Sequence, residues 1–311
     1  MTSSNEYIIG VDAGGTRTTA WIADAASECI VGRATGSSGN PRAIGLLPAC
    51  QNIRNAVQSA FRHAEIAPVT ARTACFCIAG AGRAAEQTAL KEWFQSNGIA
   101  DRIRVVTDAE AVLATATPDC VGIALICGTG SLAWGRNAAG EIRRSGGWGY
   151  LLGDEGSAFS IARAGLQAAT QSADGRRPPT HLLPELVSVC QLKDPAELIE
   201  FVYSSPAPRE QIARLAETVF RVAETGDACA RSILDTAARQ LAEMLVSVRT
   251  NLKLPVQGIP VALTGSVLTN QPLFLRAVVH HANVAESDIT VVQEPVVGAV
   301  SIARSMLAEP R

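Results

Sequence analysis

Two stretches of this chain repeat one plan. Tyr7–Asp12 is an apolar run that leads into Gly14-Gly15-Thr16, and Ala20–Asp24 returns from it. Val121–Cys127 is a second apolar run that leads into Gly128-Thr129-Gly130-Ser131, and Leu132–Arg136 returns. Strand, glycine-rich turn and strand make the pattern of a β-hairpin. One hairpin at the head of each half predicts two related domains, residues 1–117 and 118–295, with a terminal helix at 296–311 packing back on the first. Helical runs follow each hairpin, and alternation of strands with helices predicts an α/β fold. The clearest helical run is Leu46–Ala64, where Ile53, Val57 and Phe61 fall on one stripe. Further strands are expected at Ile30–Ala34, Ala74–Ile78, Ile103–Val106 and Ile259–Leu263. Further helices are expected at Ala85–Gln95, Ala109–Ala116, Glu155–Ala169, Asp227–Leu252, from about Pro272, and at Val297–Leu307. Loops are expected at 172–183 and 204–208, where proline, glycine and serine gather.

Composition excludes several classes. Hydrophobic residues make up 47% of the 311, charged residues 18%, and the formal net charge is −2. Such a chain can bury large cores and carries no concentrated basic face for nucleic acid. It has no run near the roughly 18 apolar residues of a membrane helix, and MTSSNEYIIG shows no secretory leader, so a cytoplasmic location is expected. The eight cysteines include no C-x-x-C pair. Cys75 and Cys77 read as small hydrophobes on one face of a strand, and no disulfide framework is expected. The adjacent His280 and His281 point in different directions on a helix and make a poor metal site.

The chemistry-bearing segments fall in the order GVDAGGT, AGAGR, TDAEA, CGTGS, GGWGYLLGDEGSA and ALTGSV. Glycine turns expose backbone N–H groups to an anion, and Thr16 and Thr18 would add hydroxyls. One such loop reads equally well as a plain turn, but two suit phosphate charge spread over several oxygens. Neither is a P-loop nor a dinucleotide fingerprint. Asp12 at a strand end could hold Mg²⁺. Asp108 follows another strand end, where it could take a proton from an attacking hydroxyl. It could equally serve a helix start in which Thr107 and Glu110 form a capping box. Asp154 and Glu155 could likewise cap a helix, Trp148 could stack on a sugar or fill a core, and Gly265-Ser266 could be a simple turn.

Taken in order, these motifs resemble the actin, Hsp70 and sugar-kinase superfamily. In particular they resemble the BadF/BadG/BcrA/BcrD-type ATPases that include N-acetylglucosamine kinases. The resemblance covers nearly the whole chain, and GGWGYLLGDEGSA is its most specific part. It implies two ribonuclease-H-like domains around a central cleft that takes ATP, Mg²⁺ and an amino sugar. It places Asp12, Gly14, Gly15, Thr16 and Arg17 in the first phosphate loop, with Asp12 at the metal, and Gly128, Thr129 and Gly130 in the second. Gly265 and Ser266 would lie by the adenosine, with Asp108 as base. Asn40, Ala79, Gly80, Gly147, Trp148 and Asp154 would line the sugar. The resemblance also implies a homodimer. Family members often carry Ser-Gly-Gly-Asp where this chain has Ala79-Gly80-Ala81-Gly82, which keeps glucosamine open beside N-acetylglucosamine as the substrate. Two other readings remain. An activator ATPase of 2-hydroxyacyl-CoA dehydratases shares the phosphate loops but holds an iron–sulfur cluster. A non-catalytic sugar sensor would need a DNA-binding helix pair, and with the first loop beginning at residue 10 none is expected.

Overall fold

The computed structural model describes residues 6–27, 29–204 and 208–309. The chain divides into two compact units: residues up to Gly122 together with those from Val292 onward, and Ile123–Val291. The first unit holds strands β1 (Tyr7–Ala13), β2 (Thr18–Asp24), β3 (Ile30–Gly36), β4 (Ala71–Ile78) and β5 (Ala100–Val106). Its helices are α1 (Pro41–Ile44), α2 (Leu46–His63), α3 (Ala84–Ser96) and α4 (Asp108–Ala116). The second unit holds β6 (Gly122–Cys127), β7 (Ser131–Arg136), β8 (Ile142–Gly146), β9 (Val261–Thr264) and β10 (Ile289–Val291). Its helices are α5 (Ala158–Ala173), α6 (Leu182–Val189), α7 (Leu198–Tyr203), α8 (Pro208–Arg214), α9 (Ala216–Glu224), α10 (Ala228–Asn251), α11 (Ser266–Asn270) and α12 (Pro272–Ala282). The last helix, α13 (Val296–Ala308), belongs to the first unit.

The two sheets have one strand order. The first runs β3-β2-β1-β4-β5 and the second β8-β7-β6-β9-β10. In each, a meander supplies three strands and two crossovers add parallel strands beside the first of them. The duplication seen in the two glycine turns therefore extends to the whole fold. The units differ mainly in what separates the meander from the first parallel strand. The first unit uses α1 and α2 there, whereas the second inserts six helices, α5 to α10.

Strand β1 is central and buried on both faces, so its alternate residues enter different cores. Ile9 and Val11 join Ile53, Val57 and Phe61 of α2 and the stacked rings of Phe76 and Phe94, which lie 4.0 Å apart. Each such side chain contributes about 1.5–3 kcal/mol by leaving water. Ile8, Cys75 and Cys77 face the other way, against α4 and α13. The two thiols are fully buried with sulfurs 3.6 Å apart, in keeping with the hydrophobe reading. Helix α13 lies so close to α4 that a Cβ on Gly298 would sit 1.9 Å from the Ala111 carbonyl oxygen.

The expected elements are present with edges moved by up to four residues. The helix expected from Glu155 starts at Ala158 because Ser157, not Asp154, caps it by accepting from the Ser160 N–H at 3.2 Å. Most of the expected loop at 172–183 lies between α5 and α6. Of the loop expected at 204–208, residues 205–207 lie outside those described.

Candidate active site

In the first unit the candidate residues gather at the carboxyl ends of β1, β4 and β5, where α/β sheets bind ligands. The β1–β2 turn closes through the Gly14 N–H, which donates to the Arg17 carbonyl at 2.8 Å and leaves Gly15, Thr16 and Arg17 exposed. Thr18 differs from its expected role. Its buried hydroxyl donates to the Ser37 carbonyl at 2.7 Å and is spent on the fold. Gly39 donates to the Gly14 carbonyl at 3.2 Å, and a Cβ there would meet Ala13 and Thr18 at 2.7 Å. This close approach brings the start of α1 against the loop. Asn40 caps α1 by accepting from the Arg42 N–H at 2.9 Å. Ala79 donates to the Ala13 carbonyl at 2.9 Å, and Gly80, at φ +85°, would place a Cβ 2.5 Å from the Asn40 amide oxygen. Asn40, Ala79, Gly80 and the first loop thus form one surface.

Asp12 and Asp108 are the acidic groups at the ends of β1 and β5, both half-buried. Asp12 pairs in register with Cys77, and Cys77 with Val106, two residues before Asp108. Burial pushes the Asp12 carboxyl up to about 7, the Asp108 charge pushes the same way, and Arg17 opposes them. Burial also raises Asp108, against hydrogen bonding from the Ala109 N–H, which donates to it at 3.1 Å. A buried carboxyl raised further by a second carboxylate makes a donor set suited to a cation or a proton. Of the alternative reading, Asp108 does stand in the first turn of α4, but the Thr107 side-chain cap is absent. The buried Thr107 hydroxyl has no partner.

In the second unit the β6–β7 turn closes with the Gly128 N–H donating to the Gly130 carbonyl at 2.9 Å. The GDEGSA segment is sewn beneath it. Ala158, first in α5, donates to the Gly128 carbonyl at 2.9 Å, and the Ser131 hydroxyl donates to the Glu155 carbonyl at 2.7 Å. Gly147 donates to the Ser131 carbonyl at 3.0 Å. Beside the turn, Gly265 adopts φ +98° and would place a Cβ 2.3 Å from the Cys127 carbonyl oxygen, so the β9–α11 turn is pressed onto β6. Ser266 begins α11 next to Gly128.

Trp148 is 65% exposed, which removes the core reading, and its indole lies 4.8 Å from the Arg144 guanidinium. Asp154 is 3% exposed and sits under Gly130 at φ +60°. Its carboxylate accepts from Arg209 at 2.8 Å and from the Ser131 N–H at 3.4 Å. Sequence reasoning missed Arg209. It lies in APREQ, which carries no motif, and only the folding of α8 brings it to the loop.

Two units of one strand order, each opening with a glycine–threonine hairpin loop, make the two-domain actin-like fold. This chain belongs to the BadF/BadG/BcrA/BcrD ATPase family, whose sequence pattern matches residues 9–303. It is 35% identical over 196 residues to an N-acetylmuramic acid/N-acetylglucosamine kinase of Clostridium acetobutylicum, a match covering 63% of this chain and 64% of that one. It is 29% identical over 273 residues to an N-acetyl-D-glucosamine kinase of Dictyostelium discoideum, covering 84% and 85%. Its fold matches a solved structure from Chromobacterium violaceum, provisionally assigned as an N-acetylglucosamine kinase. The TM-score is 0.75 at 24% identity, over 96% of this chain and 98% of that one. Among the described residues no helix is long and apolar enough to cross a membrane.

Proposed function

We propose that this chain is an ATP-dependent amino-sugar kinase that phosphorylates N-acetylglucosamine on its 6-hydroxyl with Asp108 as general base. The observation that carries the reading is the pair Asp12 and Asp108 at the carboxyl ends of β1 and β5, with β4 between them, beside a glycine turn. The kinase relatives supply the substrate class. Glucosamine is the alternative acceptor: Ala79 and Gly82 stand where family members often carry a serine and an aspartate, which leaves the carbon-2 substituent open.

In this reading the loop at Gly14, Gly15, Thr16 and Arg17 and the loop at Gly128, Thr129 and Gly130 donate to the phosphates of Mg·ATP. Gly265 and Ser266 seat the nucleoside. Asp12 would hold Mg²⁺, since a carboxyl raised to about 7 by burial and a like charge gains most from a nearby cation. The metal would draw charge from the phosphate oxygens. Asn40, Ala79, Gly80, Gly147 and Trp148 would surround the sugar, with the exposed indole offering an apolar face, whereas Asp154, expected with them, is buried and paired to Arg209. Asp108 accepts the hydroxyl proton as the sugar oxygen bonds to the γ-phosphorus and the bond to the ADP oxygen breaks. A homodimer and a cytoplasmic location belong to the same proposal.

The test is ADP release from Mg·ATP with N-acetylglucosamine, glucosamine, N-acetylmannosamine, glucose or no sugar. One amino sugar is expected to raise the rate far above the blank. Equal release without sugar, or none at all, would sink the kinase reading. A brown, oxygen-sensitive preparation would then favour the activator ATPase.

A further inference from the structure

The buried Asp154 poses an electrostatic problem for a loop meant to hold phosphate. A Cβ on Gly130 would lie 3.0 Å from both carboxylate oxygens of Asp154 and 2.8 Å from an Arg209 guanidinium nitrogen. The carboxylate also accepts from the Ser131 N–H, so it is fixed to the loop itself. An uncompensated negative charge there would repel an anion across a few ångströms of poorly screened protein. Asp154 cannot swing away. It is 3% exposed and held at positive φ, a conformation that Asp and Asn tolerate better than most residues.

We propose that Arg209 is a positioning residue of the second phosphate loop, which cancels the charge of Asp154 beneath Gly130 so that the loop can accept a nucleotide phosphate. This rests on the nucleotide-binding part of the reading above. Arg209 reaches the loop from α8 and spans two contacts: the ion pair at 2.8 Å and the face of Tyr150, 5.5 Å from its ring centre. Its Nε is buried without a partner although 40% of the side chain is exposed, so one edge of the guanidinium is held under the loop at a cost. The groups acting on Asp154 are Arg209, which favours its ionised form, Glu155, which opposes it, and the buried Cys127 thiol, which feels its charge. Burial is the largest influence and raises the Asp154 carboxyl. Without Arg209 that carboxyl rises further. It is then neutral and harmless at low pH, and ionised and repulsive at high pH.

The sign gives a test that a purely structural role would not pass. Calorimetric titration with Mg·ADP, at pH 6 and pH 8.5 without sugar, compares wild type, Arg209→Gln, Arg209→Lys and the double variant Asp154→Asn/Arg209→Gln. Arg209→Gln is expected to weaken binding about tenfold or more at pH 8.5 relative to wild type, and less at pH 6. Arg209→Lys should keep most of the affinity. The double variant should regain most of it, because Asn keeps the positive-φ backbone and carries no charge. Should Arg209→Gln not fold, the lysine and double variants carry the test. Binding by Arg209→Gln within twofold of wild type at pH 8.5, or a double variant no better than the single, would overturn the proposal. Wild-type protein that does not bind Mg·ADP at all would overturn the nucleotide reading beneath it.

Discussion

Asp108→Asn is expected to fold normally and to lower kcat for sugar-dependent ADP release by about 10²–10⁴-fold, the usual share of a general base. Asn keeps the shape of the side chain and removes the proton acceptor. Stability separates this loss from misfolding. Burial raises the folded-state pKa of Asp108 above its ordinary value of 3.8. A group raised in this way stabilises the fold fully below its unfolded pKa and loses that contribution as pH rises through its folded pKa. Above that point the ionised Asp108 is a burden, and Asn lifts it. The variant should therefore melt at or above the wild-type temperature at pH 8. The same shift sets the acid limb of the wild-type profile. Activity needs the ionised form, so kcat/KM should fall as pH drops through a midpoint above that of an exposed carboxyl. Near-normal turnover in Asp108→Asn would remove it as base. A lowered melting temperature would show that the carboxylate is structural.

The fold and the first loop were open to sequence reasoning because their signals are local. A glycine turn between apolar runs encodes a hairpin, and the helix carrying Ile53, Val57 and Phe61 buries that stripe at its own period. Two things were hidden. Thr18 looks like Thr16 in sequence, but strand alternation turns its hydroxyl inward to Ser37, so hydroxyl count overstated the donors of the loop. Asp154 stands next to a helix start and looks like a cap. The strained turn before Ser157 instead puts it beneath a strand pair more than twenty residues earlier in the chain, where its partner comes from a helix that begins at Pro208. Such long-range pairings depend on how elements dock, and no spacing rule reports them. The six-helix insertion is similar. Its helices α6 to α9 are only six to nine residues long, which gives a periodic pattern little room, and α6, α8 and α9 are held by packing on α5.

The packing of α13 on α4 yields the largest structural effect expected of a single methyl. Gly298→Ala should destabilise the first unit by at least the 1–3 kcal/mol typical of overpacking, lowering its melting temperature by several degrees. The added Cβ would lie 1.9 Å from the Ala111 carbonyl oxygen and 2.8 Å from the Thr115 hydroxyl. The first is backbone and cannot rotate aside. Helix α13 must lift, and it cannot lift freely. The Thr73 hydroxyl donates to the Ala303 carbonyl at 2.6 Å, and Gly10 in β1 lies so near Val300 that its own added Cβ would fall 2.5 Å away. The strain would pass instead to α4, and Asp108 lies one turn below Ala111 on that helix. Kinase turnover should therefore fall together with stability, although Gly298 belongs to neither loop. Gly82→Ala is the control for stability, since a Cβ there meets nothing within 4 Å and its φ is not positive. Urea melts of wild type and both variants decide the matter. A Gly298→Ala midpoint matching that of Gly82→Ala would mean that α13 yields without cost, and that the end of the chain is not a fixed part of the sheet's support.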